Sequence, residues 1–144
     1  MNTAIIMLGS NTDPETNMDL AVSKLIICFE IISKSLQVIT EPFGIQFLYH
    51  FHNVALKLNT SETLQDTIAI FKGIEKQMGR KSDSKLTGVI PIDIDMIFWN
   101  NKLVHEDFNR YEYVKKCINE IFWCDDVIMW WCVDVLMWWC VDVM

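Results

Sequence analysis

From Ile90 to Phe98 the chain alternates with a period of two. In an extended strand, Ile90, Ile92, Ile94, Met96 and Phe98 share one face, and Pro91, Asp93, Asp95 and Ile97 share the other. The first face requires a core. The second sets two carboxylates side by side, with Cα atoms roughly 6.5–7 Å apart at the usual strand rise. Aspartate is depleted in strands, so two of them in so apolar a strand break a local preference, as functional sites often do. Carboxylate oxygens suit hard divalent cations, and Mg²⁺ takes one or two of them together with phosphate oxygens. A half-exposed strand with a merely solvated outer face shows the same pattern. The motif alone leaves both readings open.

A chain of 144 residues is expected to form one domain with a real core. All 12 Lys and Arg and 15 of the 19 acidic residues precede residue 122, so the net charge of −7 divides into −3 for residues 1–121 and −4 for the rest. No basic block points to nucleic acid or an anionic membrane. The opening residues lack the basic region of a signal peptide. Cys28 and Cys117 fall in helical patterns without a C-x-x-C partner, and the expectation is a reduced, cytoplasmic protein.

In chain order, residues 2–8 read as a buried strand ended by the turn residues Gly9-Ser10-Asn11. Asp13-Pro14-Glu15 reads as a helix start, and Met18, Val22, Leu25, Phe29 and Ile32 as its buried stripe. A strand is predicted at about 35–40, broken by Glu41-Pro42-Phe43-Gly44, and another at about 51–59. On the latter, His52, Val54, Leu56 and Leu58 face one way and Phe51, Asn53, Ala55 and Lys57 the other. Phe51 beside Asn53 fits a flat heterocycle, held by stacking and hydrogen bonds, and equally fits an ordinary surface. Thr60 or Ser61 is the expected cap of a second helix, with a stripe of Leu64, Ile68, Phe71, Ile74 and Met78, and Gly79 stands where a C-terminal glycine belongs. Residues 80–88 form a polar loop carrying Arg80, Lys81 and Lys85, which suits either a polyphosphate or plain solvent. A last helix is predicted at about 109–121, packing through Val114, Cys117, Ile118 and Ile121. The order strand, helix, strand, strand, helix, strand is the βαββαβ arrangement of ferredoxin-like α+β folds, an antiparallel sheet with helices packed on it.

Five motifs, Leu8-Gly9-Ser10-Asn11, Thr40-Glu41-Pro42-Phe43-Gly44, Phe51-x-Asn53, Ile74-Glu75 with Gly79-Arg80, and Asp93-Ile94-Asp95, resemble those of 6-hydroxymethyl-7,8-dihydropterin pyrophosphokinase, in that family's order and spacing. The resemblance implies transfer of the β,γ-diphosphate of ATP to the pterin hydroxymethyl oxygen in folate biosynthesis, with release of AMP. It implies ATP as co-substrate and two Mg²⁺ ions held by Asp93 and Asp95, with Arg80 joining them as the catalytic set. Thr40, Pro42, Phe43, Phe51, Asn53 and Tyr113 would line the pterin pocket, and Glu75, Arg80, His105 and Arg110 would lie on the nucleotide side. The partners it implies are small molecules, acted on by a monomer. The family usually carries arginines where this chain has Ser82 and Ile90, and a tryptophan at Thr87. A slow enzyme, or a relative that binds without efficient turnover, therefore stands as the alternative.

Beyond residue 121 the composition changes. Trp123-Cys124-Asp125-Asp126-Val127, Trp131-Cys132-Val133-Asp134-Val135 and Trp139-Cys140-Val141-Asp142-Val143 repeat with a period of 8, and five of the six tryptophans lie here. Residues 122–144 are expected to stand outside the functional fold of residues 1–121. An aspartate in every unit argues against a membrane span. The remaining reading is a segment that drives self-association, which would make this an interaction protein.

Overall fold

A computed structural model describes residues 1–42 and 49–122. The elements are β1 (Asn2–Ser10), α1 (Pro14–Cys28), β2 (Glu30–Lys34), β3 (Val38–Thr40), β4 (Phe51–Thr60), α2 (Leu64–Gln77), α3 (Ser84–Thr87), β5 (Asp93–Trp99), β6 (Lys102–Leu103), α4 (Asp107–Arg110) and α5 (Glu112–Phe122). The strands pair antiparallel in the order β2-β4-β1-β5-β6, with β3 also on β4. If β2 and β3 are counted as one broken edge strand, this is the ferredoxin-like α+β fold.

The period-two patterning of β1 and β4 divides the core in two. On one face Ala4, Ile6, Leu8, Val54, Leu56, Leu58, Ile92, Ile94 and Met96 pack with Met18, Ala21 and Leu25 of α1 and with Phe71 and Ile74 of α2. On the other face Ile5, Met7, Ala55 and Ile97 pack under Val114, Cys117, Ile118 and Ile121 of α5, as that helix's spacing predicts. Glu120 Oε2 accepts the Leu36 N–H at 2.9 Å, tying α5 to the connection between β2 and β3.

Several local expectations are corrected. Gly9 and Ser10 belong to β1, which ends at Ser10 and not at Leu8. Asp13 precedes α1 as expected, but in a left-handed conformation and without a side-chain cap bond. That helix ends at Cys28, and Ile32 lies in β2, so the single strand expected at 35–40 becomes two short ones. Thr63, not Thr60 or Ser61, caps α2: its hydroxyl accepts the Asp66 N–H at 3.1 Å. Thr67 is buried in α2 where Ile68 was expected. Gly79 follows α2 with φ of 96°, as its place predicts. The loop at 80–88 contains the short helix α3.

Strand β5 carries a bulge. Ile6 pairs with Met96 and Ile5 with Phe98, so Ile97 is the extra residue. Ile97 and Phe98 therefore both face α5, and Phe98 leaves the face it was predicted to share with Ile94. At its other end the entry to β5 is fixed by Asn11. The Asn11 backbone N–H donates to Ile90 O (3.1 Å), its Nδ2 donates to Gly88 O (2.7 Å), and its Oδ1 accepts from Ile90 N–H (2.8 Å). The repeat tail from Trp123 onward lies outside the described residues, as does Phe43.

Candidate active site

On the α5 side of the sheet a cavity of about 290 Å³ opens beyond the first turn of that helix. Its floor follows from strand register. Gly9 pairs with Asn53 of β4 on one side and with Asp93 of β5 on the other, and Met7 pairs likewise with Ala55 and Asp95. Asn53, Gly9 and Asp93 thus form one cross-strand row, with its outer members about 10 Å apart at the usual strand spacing. The middle member has no side chain, and this leaves the gap. Thr40, Phe51, Arg80, Ile90, Ile97, Asp107, Tyr111, Tyr113 and Val114 complete the walls.

One end of the cavity is aromatic and amide-bearing. Asn53 is buried, and its Nδ2 donates to Val38 O (3.1 Å), Thr40 Oγ1 (3.0 Å) and Phe51 O (3.4 Å). These three acceptors fix the amide's orientation, turning Oδ1 towards Gly9. Tyr111 and Tyr113 stack with ring centroids 5.7 Å apart.

The other end is acidic. The Arg80 guanidinium bonds Asp93 Oδ1 and lies 3.4 Å from Glu75 Oε1. Burial pushes Asp95 up to about 8, reinforced by the charge of Asp93 beside it. Burial also acts to raise Asp93, but hydrogen bonding from Asp95 and the Arg80 charge outweigh it and hold Asp93 below the usual carboxylate range. The two carboxylates therefore resist ionising together, and the pair carries an excess of acceptors. Asp95, His105 and Asp107 each bring one ligand atom within 4.8 Å of the others.

Of the residues singled out in the sequence, Thr40, Phe51, Asn53, Arg80, Asp93, Asp95 and Tyr113 line this one cavity. His105 lies beside Asp107, 3.6 Å from its carboxylate, without lining the cavity. Glu75 is buried behind the wall, and Arg110 is solvent-exposed and pairs with Glu106 at 3.2 Å. Pro42 is half-buried and is not part of the lining. Asp107 and Tyr111 were missed. Their sequence signal is only that an acid and an aromatic follow the Asp strand after a short turn.

The family model for 7,8-dihydro-6-hydroxymethylpterin-pyrophosphokinase (HPPK) matches residues 5–122. The chain belongs to the HPPK family. A 2-amino-4-hydroxy-6-hydroxymethyldihydropteridine pyrophosphokinase of Aquifex aeolicus is 31% identical over 105 residues, which cover 72% of this chain and 65% of that protein. The match thus spans just under two thirds of that HPPK relative's length. The fold is also that of an HPPK-DHPS crystallised in complex with substrates (17% identity, TM-score 0.55, 72% of this chain and 28% of that one). Wild-type Plasmodium falciparum HPPK-DHPS with pteroate is similar too (13% identity, TM-score 0.52, 83% of this chain and 36% of that one). Among the described residues no helix is long and apolar enough to cross a membrane.

Proposed function

We propose that this chain transfers diphosphate from ATP to 6-hydroxymethyl-7,8-dihydropterin, releasing AMP, as a cytoplasmic monomer acting on small molecules and not on nucleic acid or membranes. The observation that carries the reading is the row Asn53–Gly9–Asp93, which joins an aromatic, amide-bearing end and an acidic end in one cavity across a residue without a side chain. Phe51 and Tyr113 offer faces for a flat ring, and Asn53 Oδ1 offers an acceptor to its N–H edge. Family membership supports assigning that ring as a pterin.

The acidic end fits Mg²⁺. Two adjacent carboxylates that cannot both ionise comfortably are a hard-oxygen donor set in need of a cation. Asp93 and Asp95 would hold it, with two ions as the proposed stoichiometry, and bound Mg²⁺ would neutralise phosphate oxygens during transfer. Arg80, now bonded to Asp93, is the guanidinium that turns to the polyphosphate when the carboxylate is otherwise engaged. The strands supply orientation: the hydroxymethyl-bearing edge of the ring points along the row towards the acid pair.

A second reading is favoured by Ile90, which is buried in the cavity wall. An aliphatic side chain there gives no charge to developing phosphate oxygens, so the protein would bind both ligands and turn them over slowly. The deciding experiment mixes ATP, Mg²⁺ and hydroxymethyldihydropterin and follows AMP, beside calorimetry with a non-hydrolysable ATP analogue and the pterin. AMP release dependent on the pterin supports the enzyme. Ordered binding of both ligands without AMP supports the second reading, and binding of neither refutes both.

A further inference from the structure

Among the described residues, the half of β5 that carries the acid pair has a strand on one side only. Asp93 to Met96 pair with β1, whereas β6 reaches only Phe98 and Trp99. On the unpaired side the end of α2 takes the place of a strand. Glu75 Oε1 accepts the Ile94 N–H at 2.8 Å, and Arg80 Nη1 donates to Ile92 O at 3.4 Å. Residues 92 and 94 flank Asp93, so the two side chains reproduce what a neighbouring strand would give to both sides of that aspartate.

Glu75 is built for this position. It is only 4% exposed, and it accepts two contacts of 3.3 Å from Lys72 Nζ and one of 3.4 Å from Arg80. Its own carbonyl accepts the Arg80 N–H at 3.0 Å, so the glutamate holds both ends of that arginine. A buried carboxylate with this set of partners has no reason to face a ligand, and it does not line the cavity.

We infer that Glu75 is the positioning residue of this site: it fixes the backbone of the Asp93–Asp95 pair through Ile94 and the guanidinium of Arg80, without touching nucleotide. The role rests on the pyrophosphokinase reading for its consequence, but not for its geometry. Without the carboxylate, the Ile94 N–H is buried and unpaired, and the carboxylates drift with the loosened strand. A displacement on the order of 1 Å at reacting groups costs up to about a hundredfold in rate.

The test compares Glu75→Gln, which keeps an acceptor for Ile94, with Glu75→Leu, which does not. Amide hydrogen exchange reads Ile94 directly, Mn²⁺ titration by electron paramagnetic resonance reads the acid pair, and steady-state kinetics separates kcat from the nucleotide KM. In Glu75→Leu the Ile94 amide should lose its protection, Mn²⁺ affinity should drop, and kcat should fall about tenfold or more while the nucleotide KM, read at saturating Mg²⁺, is unchanged. Glu75→Gln should keep Ile94 protected and recover part of the loss, and this variant decides the matter if the leucine chain does not fold. An Ile94 amide still protected in Glu75→Leu, or exposed in folded Glu75→Gln, overturns the inference. So does a nucleotide KM that still rises with the fall in kcat at saturating Mg²⁺. If the wild-type protein transfers no diphosphate, the function is refuted while exchange and Mn²⁺ titration still judge Glu75.

Discussion

Gly9→Ala separates the two ends of the cavity with a single methyl group. The new Cβ would sit 3.4 Å from Asn53 Oδ1 and 4.0 Å from Phe51 Cδ1, both ordinary contacts, with no atom of Asp93 or Asp95 within 4 Å. Alanine in a strand interior carries less conformational entropy in the unfolded chain, so thermal stability should hold or rise slightly. The methyl nevertheless fills the gap in the Asn53–Gly9–Asp93 row and screens the one acceptor that Asn53 turns to the cavity. A ring that loses that hydrogen bond and leaves its N–H unpaired loses about 1–3 kcal/mol. This corresponds to about 5- to 150-fold in dissociation constant. Calorimetry with the pterin in the presence of Mg²⁺ and a non-hydrolysable ATP analogue should show this loss, and titration with Mg-nucleotide alone should not. Unchanged pterin affinity in a folded Gly9→Ala protein would refute Asn53 Oδ1 as the recognition contact. Equal losses for both ligands would mean that the cavity had collapsed as a whole.

Asn53→Ala behaves differently, because its amide nitrogen also ties β3 to β4; it should lower stability by about 1–3 kcal/mol in chemical denaturation, besides weakening pterin binding. An unchanged midpoint would argue against the three bonds assigned to that nitrogen. Asp95→Asn should abolish Mg²⁺-dependent nucleotide binding and also change the pH profile of the empty protein. Asp95 titrates near 8 in the fold against about 4 in the unfolded chain, so its stabilising contribution is full below the unfolded value and is lost as pH rises towards 8. Asp93, held low, acts in the opposite sense, losing its contribution only as pH falls below the usual carboxylate range. Melting in EDTA between pH 4 and 8 should therefore flatten in Asp95→Asn, and an unaltered slope would contradict the assignment. Ending the chain after Phe122, where the family match ends, should leave ligand affinity intact and reduce light scattering from self-association. Loss of cooperative unfolding in that shortened chain would show that the tail belongs to the fold.

What the sequence made legible was what local periodicity encodes. The alternation of β4 and β5, the buried stripe of α5 and the glycine after α2 follow from single-element geometry. The acid pair stood out because aspartate conflicts with its strand. Less accessible was anything decided by what lies across the sheet. Ile32 continues the spacing of α1 by coincidence, since the residue after the helix is already extended and no glycine or proline marks the stop. Thr60, Ser61 and Thr63 all offer a hydroxyl, and only the pairing of Thr60 with Asn2 leaves the cap to Thr63. The bulge at Ile97 has no residue signature, so Phe98 was placed on the wrong face. Asp107, at the start of α4, and Tyr111, between α4 and α5, reach the cavity through the connection from β5 by way of β6, which periodicity does not describe. The role of Gly9 appears only when both its strand neighbours are known.

The clamp made by Asn11 bears on the order in which the molecule assembles. Its side-chain bonds to Gly88 and Ile90 join residues 77 and 79 positions apart in the chain. Closing so long a segment costs entropy before any of these bonds can return it, and locally the side chain has only the Thr12 hydroxyl, which donates to Asn11 Oδ1 at 3.0 Å. The clamp therefore belongs to the late side of the folding barrier, after β1 has found β4 and β5. Interactions absent from the transition state govern how fast a native protein opens rather than how fast it forms. The entry to β5, and with it the acidic end of the cavity, is thus expected to close late and to open early, which amide exchange would read as faster loss of protection at Ile90 than at Ile6 in the centre of β1.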